Sequence, residues 1–325
     1  MKQFASIVLF LTTIYSSSLF ANNLLDSLSD KIDIVVAQDG SGDFTSIQEA
    51  LNSCKPFMTE EKVIFIKNGT YHEKVLVHAY LLHITLLGES KENTQIVYGD
   101  HNGLPGIGTF NSYTVKVLGN NITIANLTIE NSSGEVGQAV ALHVEGDKFY
   151  IEDCRLLGCQ DTLYAAGYNS KQYYKNCYID GTTDFIFGGA TALFEDCQLH
   201  CKKNSYITAA STPQEVNYGF VFKNCTITAN QNVEVVYLGR PWRDYAKVVF
   251  INCEMGNFIQ PEGWHNWGQP EREKTAFYAE YKSKGEGARV DSRVSWSHQL
   301  TDKEVLEYTR ANIFKTVDAW EFRKN

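Results

Sequence analysis

Little in this chain interrupts it. Only six of its 325 residues are proline, and no linker or low-complexity stretch divides it. That argues for one continuous, elongated unit built on a repeat rather than for several domains. Long apolar runs are scarce. The one sustained run is FASIVLFLTTIY (4–15), which is short for a membrane-spanning helix. With Lys2 before it and small residues after it, the run reads as a secretory signal over 1–21, cleaved after Ala21. Leu19 fits the small-residue rule at the −3 position poorly. No cysteine lies near the cleavage region, which argues against a lipoprotein anchor. The expectation is a secreted protein, periplasmic in a Gram-negative bacterium, with no stable membrane insertion and a single domain over 22–325.

Basic runs are missing too. Lysines and arginines are dispersed and the net charge is −9, which argues against a nucleic-acid partner. The overall field would not steer a polyanion to such a protein. Any anionic substrate must be held by local groups. No Cys/His cluster has zinc spacing, and no nucleophile elbow for Ser-His-Asp chemistry is present. His143, His200 and His265 have no partner at triad spacing and read as structural or surface residues.

What is present is a repeat. Six segments share one form: ITIANL (122–127), FYIEDC (149–154), YYKNC (173–177), ALFEDC (192–197), FVFKNC (220–225) and VVFINC (248–253). Alternating apolar residues lead to Asn or Asp, then to an apolar residue or Cys. Two positions on comes another apolar residue: Ile129, Leu156, Ile179, Leu199, Ile227 and Met255. The intervals are 27, 23, 20, 28 and 28 residues. Short strands with variable loops at that period suggest a parallel β-helix. A parallel α/β fold would need amphipathic helices between the strands, and none is found there. Helical spacing occurs at the ends instead. TSIQEALNSC (45–54) carries a capping box at Thr45 and Gln48, and TDKEVLEYTRANIF (301–314) another at Thr301 and Glu304. These two helices are expected to cover the open ends of the coil.

Cys154, Cys177, Cys197, Cys225 and Cys253 share one phase and should form an interior column. Buried free cysteine behaves as a small apolar residue, yet neighbouring turns also suit a disulfide and a secretory route permits one. Cys177–Cys197 is the preferred pair, with spacing alone leaving both readings open. Sequons occur at Asn68, Asn121, Asn126, Asn131 and Asn224. Asn126 and Asn224 fall within rungs and are expected to be buried.

Two aspartates occupy one phase of the repeat. Asp161 and Asp184 each follow a column cysteine by seven residues, which puts them side by side on neighbouring turns about 4.8 Å apart. Two carboxylates so close cannot both ionise freely. One residue type then supplies both an acid and a nucleophile.

Several motifs resemble the pectin methylesterase (pectinesterase) family. They are DGSGDFTSIQEA (39–50), GTYHEK (69–74), GQAVAL (137–142), QDTLY (160–164), GTTDFIFGGA (181–190), LGRPW (238–242), GWHNWG (263–268) and YAEY (278–281). The resemblance covers roughly residues 33–320. One departure is Thr182 and Thr183, where the family more often has a valine before the nucleophile. The resemblance implies a right-handed parallel β-helix with short capping helices, and hydrolysis of methyl esters on polygalacturonate with release of methanol. By the same resemblance Asp184 is the nucleophile, Arg240 its partner, Asp161 the general acid, and Gln138 and Gln160 the oxyanion stabilisers. Trp242, Tyr164, Phe187 and Trp267 are candidate walls for sugar rings, since flat aromatic faces pack on the apolar faces of sugars. The chemistry can be written with side chains alone, so no metal or organic cofactor is expected. Methyl-esterified homogalacturonan is the expected partner and the monomer the expected state. Rival readings are a polysaccharide lyase, a glycoside hydrolase or a thioesterase on the same coil, or an inactive carbohydrate-binding β-helix.

Overall fold

The computed structural model describes residues 28–315. The expected signal sequence (1–21) lies outside the described residues, as do residues 316–325. Alternating apolar positions make the rungs, and the rungs stack in parallel into three sheets of eleven, eight and seven strands. Except at the ends, successive strands pass from one sheet to the next. The architecture is the right-handed parallel β-helix the repeat implied.

Register is kept by columns of identical phase. In the first sheet Ile124, Ile151, Tyr174, Phe194, Phe222 and Phe250 pair in turn, and all are fully buried. Their rings stack 4.5 Å apart from Tyr174 to Phe194, 4.5 Å from Phe194 to Phe222 and 4.4 Å from Phe222 to Phe250. In the second sheet Ile129, Leu156, Ile179, Leu199, Ile227 and Met255 pair in the same way, as the spacing required.

The Asn or Asp of each repeat marks the corner between these sheets. Asn126, Asp153, Asn176, Asp196, Asn224 and Asn252 all have φ between 49° and 57°, the left-handed region that Asn and Asp tolerate best among residues with a Cβ. A corner side chain points outward. Asn126 is half-buried, its Nδ2 donating to the Gly88 carbonyl at 2.9 Å. Asn224 is exposed, contrary to the expectation of burial.

The cysteine column is present and buried, but every cysteine among the described residues is free, so the expected Cys177–Cys197 bridge is corrected. Side chains in a parallel, in-register ladder point the same way. Their Cβ atoms therefore stay near the strand spacing of about 4.8 Å, beyond the roughly 3.5–4.5 Å a disulfide needs. The thiols of Cys177, Cys197, Cys225 and Cys253 instead donate to a carbonyl of the neighbouring strand, as Cys197 Sγ does to Tyr174 O at 3.5 Å.

Helix α1 (Ile47–Ser53) covers the first coil and buries Ile47, Ala50 and Leu51. Its cap lies one residue later than expected: Ser46, not Thr45, accepts from the Glu49 N–H. Glu73 completes the cap, its carboxylate accepting from Ser46 Oγ at 2.8 Å, Ile47 N at 3.0 Å and Gln48 N at 2.9 Å. An anion at a helix N-terminus is favoured there.

At the other end the capping box forms: Thr301 N donates to Glu304 Oε2 at 2.8 Å, and Glu304 N to Thr301 Oγ1 at 3.2 Å. The segment is not one helix, however. It divides into a 3₁₀ turn (Glu304–Glu307) and α2 (Arg310–Phe314), and it returns along the outer face of the first sheet. Tyr150, Tyr173, Leu193 and Val221 expose an apolar patch on that face, and Ile313 and Phe314 cover it. The interior one strand before the end of the first sheet is closed by charge instead. Glu280 pairs with Phe250 at the end of the interior aromatic column. Arg293 holds its carboxylate with Nε at 2.7 Å and Nη2 at 3.1 Å, both side chains no more than 2% exposed.

Removing one partner of a buried, hydrogen-bonded ion pair strands the other. Glu280→Ala should therefore destabilise the fold by about 3–5 kcal/mol, measured as a shift in the urea midpoint. An unshifted midpoint would show that Arg293 is not held as described.

Candidate active site

The two aspartates sit at the corner where the chain enters the third sheet. Asp161 precedes the strand Leu163–Ala165 and has φ 67°; Asp184 precedes Ile186–Gly188 and has φ 49°. The strands pair Leu163 with Ile186, so the aspartates occupy equivalent places on adjacent coils. Asp161 N donates to Thr183 O at 3.1 Å, and Asp184 N to Tyr206 O at 2.8 Å. Backbone thus fixes both residues. The Thr182 and Thr183 departure leaves this intact, because the bond to Asp161 uses a carbonyl. The Thr183 hydroxyl meets Ser205 Oγ at 2.8 Å.

Arg240 reaches Asp184 with two parallel bonds, Nε to Oδ1 at 3.0 Å and Nη2 to Oδ2 at 2.7 Å. Its guanidinium lies between two rings, 4.0 Å from the Tyr206 centroid and 3.7 Å from that of Trp267. Burial pushes the Asp161 carboxyl up to about 8, the Asp184 charge adds to the rise, and Arg240 offsets part of it. Burial raises Asp184 as well, but the hydrogen bonds and charge of Arg240 oppose the rise. Asp184 is therefore the member of the pair that ionises first, and Asp161 keeps its proton at neutral pH.

Gln138 and Gln160 lie side by side across a parallel bridge. Strict register from the Leu142–Leu163 pair would not place them so. Leu142 lies four positions after Gln138, but Leu163 only three after Gln160. The extra residue is taken up by a β-bulge at Val140 and Ala141, where Ala141 N and Leu142 N both donate to Thr162 O at 2.8 and 3.1 Å. Bulges next to active sites re-aim side chains in this way. Asn102 Nδ2 donates to Gln138 Oε1 at 2.8 Å, which turns the Gln138 amide N–H groups to other partners.

A cleft of about 190 Å³ joins these groups. It is lined by Gln138, Gln160, Asp161, Asp184, Arg240, Phe187, Trp242 and Trp267 together with Thr109, Phe110 and Ala209. Tyr164 does not border it but extends its aromatic wall, with centroids 4.7 Å from Phe187 and 4.9 Å from Phe110. Trp264 is core, packed on Tyr278 at 4.5 Å. His143 is wholly buried, and its Nε2 lies 2.6 Å from Glu145 Oε1. Its ring stands edge-on to Tyr164, supporting that wall from beneath. Sequence reasoning missed Thr109, Phe110, Tyr206 and Asn102. Thr109 and Phe110 lie in a short 3₁₀ helix (Thr109–Asn111), Asn102 in a loop and Tyr206 in the third sheet, all outside the repeat that guided the reading. Among the described residues, no group of three or more His, Cys, Asp or Glu could hold a metal ion.

Residues 33–317 match the family model Pectinesterase. The chain belongs to the pectinesterase family. It is 41% identical to Pectinesterase 31 of Arabidopsis thaliana over 280 residues, which is 83% of this chain and 88% of that protein. Pectin methylesterase from carrot superposes with a TM-score of 0.83 at 33% identity, over 87% of this chain and 93% of that one. A pectin methylesterase in complex with hexasaccharide VII superposes with a TM-score of 0.75 at 30% identity, over 87% of this chain and 97% of that one. Pectinesterase membership accounts for the motifs as a set, whereas the geometry above says what each one holds in place.

The raised Asp161 carboxyl has a consequence for stability. Its folded value of about 8 exceeds the ordinary 3.8. Between those pH values the folded protein keeps a proton that the unfolded chain releases, so this group makes stability fall as pH rises. Asp161→Asn cannot titrate. Its stability relative to wild type should be near zero at pH 4 and should increase up to about pH 8, followed by denaturant unfolding at several pH values. Parallel curves would refute the raised value.

Proposed function

We propose that the protein is a secreted, monomeric pectin methylesterase that removes methyl esters from homogalacturonan and releases methanol. The observation that carries the mechanism is one carboxylate aimed by a bidentate guanidinium beside a second carboxyl that stays protonated. Asp184 attacks the ester carbonyl carbon as a carboxylate. The oxyanion that develops takes hydrogen bonds from the amides of Gln138 and Gln160, which are neutral donors and do not compete for the charge of Asp184. Collapse of the tetrahedral intermediate breaks the bond to methoxide, and Asp161 gives its proton so that methanol leaves. Asp184 is then acylated.

Asp161, now a carboxylate, takes a proton from water as the water oxygen adds to the acyl carbon. A second collapse breaks the bond to Asp184 and frees the galacturonate carboxyl group. Asp161 is again protonated and Asp184 again paired with Arg240. The side chains and the attacking water supply every proton and electron pair, consistent with a reaction that needs no metal or organic cofactor. Secretion is supported by the apolar run at 4–15, and among the described residues no helix is long and apolar enough to cross a membrane. A lyase or glycoside hydrolase on this coil would leave the aligned glutamine pair without a task.

Methanol release from methyl-esterified pectin, with viscosity followed in parallel, tests the reading. Methanol without chain scission is expected, and scission without methanol would overturn it. Asp184→Asn should abolish turnover, because an amide cannot form the acyl-enzyme. Asp161→Asn should lower the rate by about 10²–10⁴-fold. Wild-type activity in a confirmed Asp184→Asn preparation free of other esterases would sink the mechanism.

A further inference from the structure

A glycan on an Asn-x-Ser/Thr sequon is carried by the side-chain nitrogen of the asparagine. At the Asn131 sequon that atom is already taken. Asn131 ends the second-sheet strand Thr128–Asn131 and is 4% exposed. Its Nδ2 donates to three backbone carbonyls: Asp100 O at 2.8 Å, Ser112 O at 3.0 Å and Val140 O at 3.1 Å. An amide nitrogen has two hydrogens to give, so none is left over. Its Oδ1 accepts from Ser133 N at 3.1 Å. The side chain is therefore a clamp, and what it joins bears on the cleft.

Asp100 and Ser112 stand at the two ends of one loop. That loop sends Thr109 and Phe110 to the cleft and Asn102 to Gln138. Asn102 holds Gln138 twice, with its N–H on the Gln138 carbonyl at 2.8 Å and its Nδ2 on Oε1 at 2.8 Å. Val140 belongs to the bulge that aims Gln138. A bulge disrupts the ladder, so the residue must find partners elsewhere. The Val140 N–H donates to Ser112 Oγ at 3.1 Å, and its carbonyl accepts from Asn131 Nδ2 and from Thr114 N at 3.1 Å. Lys74 also spans the loop ends, from the outer side, with Nζ 2.6 Å from Asp100 Oδ2 and 2.6 Å from Asn111 O. Its bonds stop at the loop. Asn131 alone among these side chains bonds to both loop ends and to the bulge.

We propose that Asn131 is a positioning residue: it aims the Gln138 amide at the developing oxyanion by locking the loop that carries Asn102 to the bulge that presents Gln138. The proposal rests on the esterase reading and deepens it. Asn131 touches neither substrate nor reacting atoms and acts through Gln138. An oxyanion donor works in the transition state, so loss of its aim lowers kcat and leaves KM in place.

The test measures methanol release from methyl-esterified pectin by wild type, Asn131→Ala, Gln138→Ala and the double variant, with circular dichroism recorded on each. Asn131→Ala should lower kcat by about 10²-fold, the loss that a displacement of about 1 Å brings. KM should stay nearly unchanged, because Lys74 still ties the loop ends. In the Gln138→Ala background the same substitution should cost nothing further, since the two residues act as a unit. A merely structural residue would instead multiply its loss onto that of Gln138→Ala. If Asn131→Ala loses the β-sheet spectrum, Asn102→Ala takes its place. Asn102 is exposed, and its loss cuts the link from loop to Gln138 amide, so the same pattern is expected at smaller size. An unchanged kcat in the folded variant, a loss carried by KM, or multiplied losses in the double variant would overturn the proposal while leaving the esterase reading intact. A folded wild-type protein that releases no methanol would overturn the esterase reading itself.

Discussion

Every coil must turn its corners where the previous coil turned them, and this constraint governs the rest of the molecule. The strands are parallel and in register, so a corner out of phase would rotate all later side chains to the wrong face. The chain meets the requirement with left-handed residues. Asn126, Asp153, Asn176, Asp196, Asn224 and Asn252 hold one line of corners. The line where the chain enters the third sheet includes Asp161 and Asp184, also left-handed. The catalytic candidates are thus part of the scaffold. One left-handed backbone conformation at Asp161 both turns the corner and sets its carboxyl beside Asp184.

Stacking also creates the electrostatic asymmetry. Two aspartates on adjacent coils are buried to a similar degree, 8% and 5% exposed, so burial alone would treat them alike. The difference lies in their neighbours. Asp184 has a fixed guanidinium, and Asp161 has mainly the charge of Asp184 beside it. A site that keeps a carboxyl protonated by burial carries that cost in stability, the familiar opposition between a working site and a relaxed one.

Much of this was legible in the sequence because the repeat is legible. The column at Ile129, Leu156 and Ile179 follows from period-two alternation, and the adjacency of Asp161 and Asp184 from their shared distance to the column cysteines. What was not legible depends on contacts the period does not encode. The β-bulge at Val140 and Ala141 is an insertion of one residue and has no compositional mark. The free state of Cys177 and Cys197 depends on the direction of Cβ vectors, which phase alone does not give. Motif glycines serve packing. A Cβ on Gly239 would lie 2.0 Å from Thr208 Oγ1, and one on Gly188, at φ 122°, would lie 2.1 Å from Ala165 O. The motifs that suggested a reaction are in part statements about how closely two coils approach.

The reach of Arg240 joins fold and chemistry. Ile186 pairs with Thr208, and Thr208 with Gly239, so Arg240 belongs to a coil two rungs from that of Asp184. That gap is about 10 Å along the stack, and the side chain crosses it over the face of Tyr206 at 4.0 Å. A long side chain is required to span the distance, and a planar one to pass between Tyr206 and Trp267. Lysine has length but neither the flat stacking surface nor the two-pronged donor set. Held between the rings, the guanidinium is shielded from water, where its charge acts on Asp184 more strongly than it would in solvent. The two rings therefore contribute to the ionisation of Asp184 through the guanidinium they hold.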